Sequence, residues 1–164
     1  MIQQIIDFGK SLPNELGVMF LSMLPLTELR AAIPIFIANG MQPLLAYIMA
    51  VIGNMLPVPF VLALARPLFK WMKKRRCFTK IVAALDRKIE KNKDKVLKYE
   101  FWGLALFVAI PLPGTGAWTG AFIASILDLR YKNALPSIGI GVIIAGAIIT
   151  LVSSGVLAGI KFIF

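Results

Sequence analysis

The chain alternates between long apolar stretches and one compact charged region. Four stretches contain no Asp, Glu, Lys or Arg, and they are residues 16–27, 31–65, 101–127 and 133–160. A helix needs about 20 mainly apolar residues to cross a bilayer, so the last three are each long enough. Charged residues make up only 16% of the chain, against about a quarter in a soluble domain. The pattern predicts an all-α integral membrane protein.

An internal repeat divides the chain into two halves. Shifted by 86 positions, residues 17–38 align without a gap on residues 103–124 and share seven identities, including a Pro-Leu pair and a Phe-Ile-Ala block. Apolar composition alone produces some matches, but shared blocks at one offset favour a true duplication. We predict a single membrane domain over 1–164, with a first repeat at 1–69, a basic connector at 70–98 and a second repeat at 99–164.

Each copy has a break within its first apolar segment. The break runs from Pro25 to Arg30 in the first copy and from Pro111 to Gly116 in the second. Proline ends the helix before it, and glycine permits a tight reversal. Unpaired backbone at membrane depth is tolerated only when it is buried in protein or faces a watery cavity. A re-entrant helical hairpin meets that condition.

Two membrane topologies are compatible with this pattern. In one, all four apolar segments span, both termini are cytoplasmic and the loop at 125–133 is external. In the other, 16–38 and 101–124 are re-entrant hairpins, while 43–69 and 134–160 each span once and both termini are external.

The positive-inside rule favours the second topology, because it places Arg130 and Lys132 in the cytoplasm. The two halves then form an inverted repeat, an architecture that recurs in transporters. Within the first spanning segment we expect Asn54 to form a helix–helix hydrogen bond. We also expect Pro57 to contribute to a kink and Pro67 to end the helix.

Most of the charge lies in the connector between the halves. Residues 66–100 contain 13 of the 18 basic residues and only four acids. The rule for basic loops places this connector in the cytoplasm. Its apolar residues recur at helical spacing, which predicts an amphipathic helix lying on anionic lipid headgroups. Nucleic-acid binding is the less favoured alternative, so no nucleic-acid partner is predicted.

The composition also restricts the chemistry. The chain has no histidine and one cysteine, which excludes a Ser-His-Asp triad, histidine metal ligands and an intrachain disulfide. We therefore predict no enzyme activity, no metal and no cofactor.

The two breaks resemble the motifs of a known family. The stretch Glu28-Leu29-Arg30 followed by Ile33-Pro34, the stretch from Pro111 to Gly116 with Trp118, and the basic middle are similar to the putative small multidrug export proteins of prokaryotes. That family looks distantly similar to the DedA superfamily, in which two re-entrant hairpins form an inverted repeat and some members translocate polyprenyl phosphate. The resemblance implies a transporter or translocase in the prokaryotic cytoplasmic membrane. DedA proteins usually carry an arginine in the second hairpin, whereas Gly116 stands at the repeat position of Arg30 here.

Glu28 and Arg30 are the charges within the first apolar break. A charge near the bilayer centre costs several kcal/mol unless it is paired or hydrated, which makes both functional candidates. Glu28 could carry a proton, because burial favours its neutral form, and Arg30 could bind a phosphate or carboxylate. The alternative is an ion pair, between the two residues or across the repeat, that closes the hairpin tips. Residues two apart do not share a helix face, so direct pairing would need non-helical backbone.

The second break is a candidate anion site. A half-helix that begins near Gly114 to Gly116 would direct free N–H groups at the membrane midplane, with Arg30 facing it. The alternative is that the glycines only make the turn. The predicted substrate- or ion-binding residues are Glu28, Arg30, Pro34, Pro111, Pro113, Gly114, Thr115, Gly116, Trp118 and Thr119, with Asp128 and Arg130 as candidate gating residues.

Three classes of function stay open from the sequence. The first is a translocase for an amphipathic anion such as a polyprenyl phosphate, with protons as a candidate coupling ion. The second is a proton-coupled exporter of cationic drugs, and the third is a non-transporting membrane scaffold. Two spanning helices and two hairpins form a small bundle, so we expect a homodimer.

Overall fold

The structure is a computed structural model that describes residues 2–73, 93–112, 115–127 and 129–163. All secondary structure in these ranges is helical, as predicted. The helices are α1 (Ile2–Ser11), α2 (Asn14–Met23), α3 (Glu28–Ala38), α4 (Pro43–Met55), α5 (Val58–Lys73), α6 (Lys93–Ala109), α7 (Ala117–Ile126) and α8 (Tyr131–Ile163).

Within the described residues, two helical stretches are long and apolar enough to cross a membrane. They are Pro43–Leu64 and Tyr131–Gly155, and both fall where the sequence predicts the long apolar segments. Their outer faces carry large apolar side chains such as Phe60 and Leu151, which are 73% and 74% exposed. Such exposure is unfavourable in water and ordinary against lipid.

The first of these stretches is interrupted where a kink is predicted. Helix α4 ends at Met55 and α5 begins at Val58, because Pro57 has no N–H to continue the helical hydrogen bonds. The predicted helix end at Pro67 is wrong. Helix α5 continues through Pro67 to Lys73, since one missing backbone donor kinks a helix without forcing it to stop.

Two further segments are the connector and the N-terminal helix α1. The predicted amphipathic helix of the connector falls mostly at 74–92, outside the described residues, and the described chain resumes with Lys93 in α6. The short helix α1 is not predicted from the sequence. It packs against α2, where Gly9 faces the side chain of Leu21.

The chain reverses direction at both predicted breaks. Gly17 on α2 lies against the ring of Phe36 on α3, so these two helices run side by side in opposite directions. In the second half, Gly120 on α7 lies against Val108 on α6. Each half therefore contains a helical hairpin whose tip coincides with a Pro/Gly break.

The returning helix of each hairpin packs between long helices. Helix α3 contacts α4 and α8, and helix α7 contacts α5 and α8. The core between them is apolar and includes Leu29, Ile33, Phe36, Ile138 and Val142, all at most 2% exposed. This packing fixes where the two hairpin tips lie relative to each other.

Gly17 and Gly103 occupy equivalent positions of the repeat, but an added methyl group should change protein stability differently at each. A Cβ at Gly17 would overlap the carbonyl oxygen of Gly9 and the Phe36 ring, whereas a Cβ at Gly103 meets nothing within 4 Å. We expect Gly17→Ala to lower the free energy of unfolding by about 1–3 kcal/mol through overpacking. Gly103→Ala should be neutral or stabilising by up to about 1 kcal/mol. Thermal unfolding in detergent compares the two, and equal effects would contradict this packing.

Candidate functional site

The tips of the two hairpins meet at the start of α3 and the start of α7. Glu28 and Arg30 lie on the first tip, and Thr115 and Gly116 lie on the second. The guanidinium Nη2 of Arg30 donates to the Thr115 hydroxyl at 2.8 Å, which joins the two halves directly. The structure thus brings together residues that are 85 positions apart in the chain.

The backbone at the first tip is shaped by Thr27 and Glu28. The Thr27 hydroxyl donates to the carbonyl oxygen of Leu21, and the Glu28 amide donates to the carbonyl of Leu24 at 2.9 Å. Glu28 has a φ of 45°, in the left-handed region that non-glycine residues rarely adopt. Such a conformation costs about 1–3 kcal/mol and persists only where its surroundings impose it. Its repeat equivalent is Gly114, a residue without that cost.

The strained backbone directs the Glu28 carboxylate at the N-terminus of α7. Glu28 is only 8% exposed, and its carboxylate accepts a hydrogen bond from the backbone N–H of Trp118. Gly116, the N-cap residue of α7, offers no side-chain cap of its own. A Cβ at Gly116 would overlap the carboxylate. Glu28 therefore caps α7 from the other half of the protein, where a negative charge is favoured by the helix dipole.

The Arg30 guanidinium contacts different groups from those that the Glu28 carboxylate contacts. Besides Thr115, its Nη2 donates to the carbonyl oxygen of Ile110 at 3.4 Å. Glu28 is near enough to act on Arg30 electrostatically, but within the described residues no carboxylate forms an ion pair with the guanidinium. The ion pair considered from the sequence is therefore not formed among these residues. The tips are joined by a helix cap and a hydrogen bond to a hydroxyl.

Trp118 adds a third link between the halves. Its indole Nε1–H donates to the carbonyl oxygen of Met23 at 3.0 Å. Met23 is the last residue of α2, where carbonyl groups lack partners within the helix. This hydrogen bond ties the start of α7 to the end of α2.

An open pocket of about 470 Å³ lies at the junction of the tips. Its lining combines the two charged residues, two threonines and several apolar residues: Pro25, Leu26, Thr27, Glu28, Arg30, Ala31, Pro111 and Thr119. Pro25, Leu26 and Pro111 are exposed, so the pocket opens to the outside of the bundle at an apolar rim. The arrangement offers a cation and hydroxyls inside and apolar surface at the mouth.

A second, narrow cavity lies deeper, behind the same two charges. It has no room for a water molecule, and its walls are Glu28, Leu29, Arg30, Asn54, Val108, Gly116, Ala117, Val142 and Ala145. Asn54 is 1% exposed, and its Oδ1 has no hydrogen-bond partner. The helix–helix hydrogen bond expected for Asn54 is therefore not made by this oxygen, because the surfaces that α6 and α8 present there are apolar.

The remaining predicted residues lie in different places. Pro34 is inside α3 and lines neither of these cavities. Pro113, Gly114 and Asp128 lie outside the described residues. Arg130 is exposed just before α8, also away from both cavities.

Some pocket residues were not singled out from the sequence. Pro25, Leu26 and Thr27 belong to the same break as Glu28, so their position in the break was the available signal. Asn54 was identified only as a polar residue in a helix. Its alignment with the tips depends on how α4 packs against α3, which periodicity does not specify.

The apolar helices and the internal polar site define a helical membrane protein. The sequence profile described as "Putative small multi-drug export protein" matches residues 28–148, which is most of the chain, and the protein belongs to that family. The match begins at Glu28 and includes Glu28, Arg30, the second break, the whole first candidate span and most of the second. Searches against curated proteins and against solved structures returned no match.

The contact between Gly116 and Glu28 predicts that substitutions at the two positions are coupled. Gly116→Ala should cost about 1–3 kcal/mol of unfolding free energy, because the new methyl displaces the carboxylate. In a Glu28→Ala background the same change should cost less, giving a coupling energy of about 0.5–3 kcal/mol. Urea or thermal unfolding of the four proteins in detergent measures the cycle.

Gly139→Ala is the control for this cycle, since a Cβ there makes ordinary contact with Met55 at 3.5 Å. Its effect should add to that of Glu28→Ala. Additive effects for Gly116→Ala as well would mean that the carboxylate does not occupy the start of α7.

Proposed function

We propose that the protein is a transporter of an amphipathic anion with a phosphate headgroup, such as a polyprenyl phosphate, in the prokaryotic cytoplasmic membrane. The observation that carries this proposal is the set of groups around the Arg30 guanidinium. Its guanidinium lines an open pocket at the hairpin tips and has no carboxylate partner among the described residues. A guanidinium that is not bound to a carboxylate can donate two parallel hydrogen bonds to a phosphate.

The pocket suits a headgroup attached to an apolar chain. Thr119 lines the pocket, and Thr115 already accepts a hydrogen bond from Arg30, so hydroxyl groups lie beside the cation. At the mouth, Leu26 is 71% exposed and could pack along a lipid chain. A phosphate would bind inside, while its apolar tail would stay on the lipid side of the rim.

The lengths of the hairpin helices support a re-entrant arrangement. Helices α2 and α3 have 10 and 11 residues, which at about 1.5 Å per residue is about half of a hydrocarbon core of about 30 Å. Helix α7 also has 10 residues, whereas its hairpin partner α6 has 17 and begins within the charged connector. Helices of this length that reverse at Pro/Gly breaks would bring the tips to the membrane midplane.

The packing of the halves supports an inverted repeat. In each half the two hairpin helices and the following long helix contact one another. The returning helix of each hairpin also contacts the long helix of the other half, as α3 with α8 and α7 with α5. Such reciprocal contacts are expected for two copies related by a twofold axis in the membrane plane.

Cysteine labelling tests this topology. In a Cys77→Ser background, Gln4→Cys and Gln42→Cys should react in intact cells with a membrane-impermeant maleimide, and Lys132→Cys should not. Gln42 is external in both topologies considered and serves as the positive control. Reaction at Lys132→Cys with protection at Gln4→Cys would instead indicate four spanning segments.

Uptake of a polyprenyl phosphate by proteoliposomes tests the substrate. Arg30→Gln should reduce uptake about 10- to 100-fold, the effect of losing one charge-assisted hydrogen bond of about 1.5–3 kcal/mol. Arg30→Lys should retain part of the activity, because it keeps the charge without the guanidinium fork. Lys10→Gln removes an exposed cation of α1 as the matched control and should leave uptake unchanged. Equal uptake by Arg30→Gln and the unaltered protein would exclude this site.

One observation favours a second function, the proton-coupled export of cationic drugs. The Glu28 carboxylate lines the same pocket and could bind a cation in exchange for a proton. Efflux of a cationic dye from the same vesicles, driven by a pH gradient and abolished by Glu28→Gln, would support this alternative. A homodimer and binding of residues 70–98 to anionic headgroups stay predictions alongside both functions.

A further inference from the structure

Asn54 is a buried polar residue without an evident structural purpose. It lies in α4, is 1% exposed, and its Oδ1 accepts no hydrogen bond. An unsatisfied buried acceptor costs about 1–3 kcal/mol, so a residue of this kind calls for an explanation. The narrow cavity that it lines has no room for a water molecule that could donate to it.

The donor must therefore come from the walls of that cavity. From α6 and α8 the walls are Val108, Val142 and Ala145, which have no polar side-chain atoms. Arg30 directs its Nη2 at Thr115 and Ile110, not at Asn54. The remaining polar side chain on the walls is Glu28, which becomes a donor when it takes up a proton.

We propose that Glu28 and Asn54 together form a proton-binding site. When Glu28 is ionised, its carboxylate caps α7 through the Trp118 N–H, as in the structure. When it binds a proton, its new O–H donates to Asn54 Oδ1 and the Trp118 N–H is released. One proton is gained, and one hydrogen bond is exchanged for another. The proposal rests on the proposed function, because the released helix N-terminus then becomes available to the substrate phosphate beside Arg30.

The charges around Glu28 couple the two binding events. Arg30 is the other ionisable side chain among the described walls of both cavities, and its positive charge favours the ionised form of Glu28. A phosphate bound to Arg30 would neutralise that charge, so Glu28 would take up a proton more readily. The anion and the proton would therefore bind together.

Other ionisable groups on the helices that pack against α3 lie away from this site. Glu15 on α2 and both Tyr131 and Lys132 on α8 are exposed, and the Tyr47 hydroxyl on α4 donates to the carbonyl of Ile143. None of them lines either cavity.

Infrared spectroscopy of the full chain in lipid nanodiscs, without substrate, tests the proton site directly. The carbonyl band of protonated Glu28 is followed as a function of pH, and Glu28→Gln identifies the band by removing it. In Asn54→Leu, the pH at which half of Glu28 is protonated should fall by about one unit, a tenfold loss of proton affinity. This is the effect of losing one hydrogen bond of about 1 kcal/mol to the neutral form.

Two further variants make the result specific. Asn54→Ser keeps an oxygen acceptor and should shift the midpoint less than Asn54→Leu, and it also serves if the leucine variant does not fold. Ser22→Ala removes the hydroxyl of Ser22, whose Oγ also has no partner and which lines neither cavity, so it should leave the midpoint unchanged. An unchanged midpoint in Asn54→Leu, or an equal shift in Ser22→Ala, overturns the proposal.

The assay separates this inference from the proposed function. A shifted midpoint in a protein that moves no polyprenyl phosphate at any pH would support the proton site and refute the substrate. If the protein transports polyprenyl phosphate but Asn54→Leu leaves the midpoint unchanged, the substrate is supported and the proton site is refuted. If both stand, Asn54→Leu should move the pH optimum of uptake downward by the same unit.

Discussion

The arrangement of this site depends on one interaction, the capping of α7 by the carboxylate of Glu28. The start of a helix presents free N–H groups and a partial positive charge, and burying it without a partner is costly. Gly116 supplies no side chain for this purpose, so the partner comes from the opposite half. Glu28 reaches it only by adopting a positive φ, and Gly116 must lack a Cβ for the carboxylate to fit. Arg30 lies two residues later in the chain and lines the same pocket as Glu28.

The sequence predicted the helical class, the two long apolar helices and the breaks, because these depend on local composition. It also identified Glu28 and Arg30, since isolated charges in apolar segments are visible without a structure. The i,i+2 spacing correctly indicated that the two do not share a helix face. Which groups each side chain would meet could not be predicted. The candidate anion site at the start of α7 is occupied by a carboxylate of the protein itself, and that pairing depends on how two distant hairpins pack.

Pro57, Pro67 and Asn54 also show that the sequence alone does not specify tertiary contacts. Pro57 and Pro67 look alike in the sequence, yet the helix breaks at the first and continues through the second. Asn54 was interpreted as a helix–helix contact, a common role for a polar residue in a membrane helix. Its oxygen instead faces a narrow space shared with Glu28. Tertiary packing decided each of these outcomes.

The two halves make similar helix contacts but differ in the chemistry of their tips. Gly114 and Gly116 stand at the positions equivalent to Glu28 and Arg30. A side chain at Gly116 would overlap the Glu28 carboxylate, so the second tip has no room for a charged residue at that position. One tip therefore provides the charged groups, and the other provides the space and the backbone donors. The absence of an arginine from the second hairpin fits this division.

The charge balance of the site supports the proposed transport of an anion together with a proton. Ionised Glu28 and Arg30 sum to zero, and any net charge at membrane depth carries a large energetic penalty. A singly charged phosphate ester alone would leave the site at −1, and a cationic drug alone would leave it at +1. A phosphate ester bound while Glu28 takes up a proton restores neutrality. The drug exporter reaches neutrality only if Glu28 stays ionised and Arg30 is neutral, and an arginine in a protein does not lose its proton. This balance supports the proposed anion over the cationic drug, provided that Glu28 can leave the α7 N-terminus and find another hydrogen-bond partner.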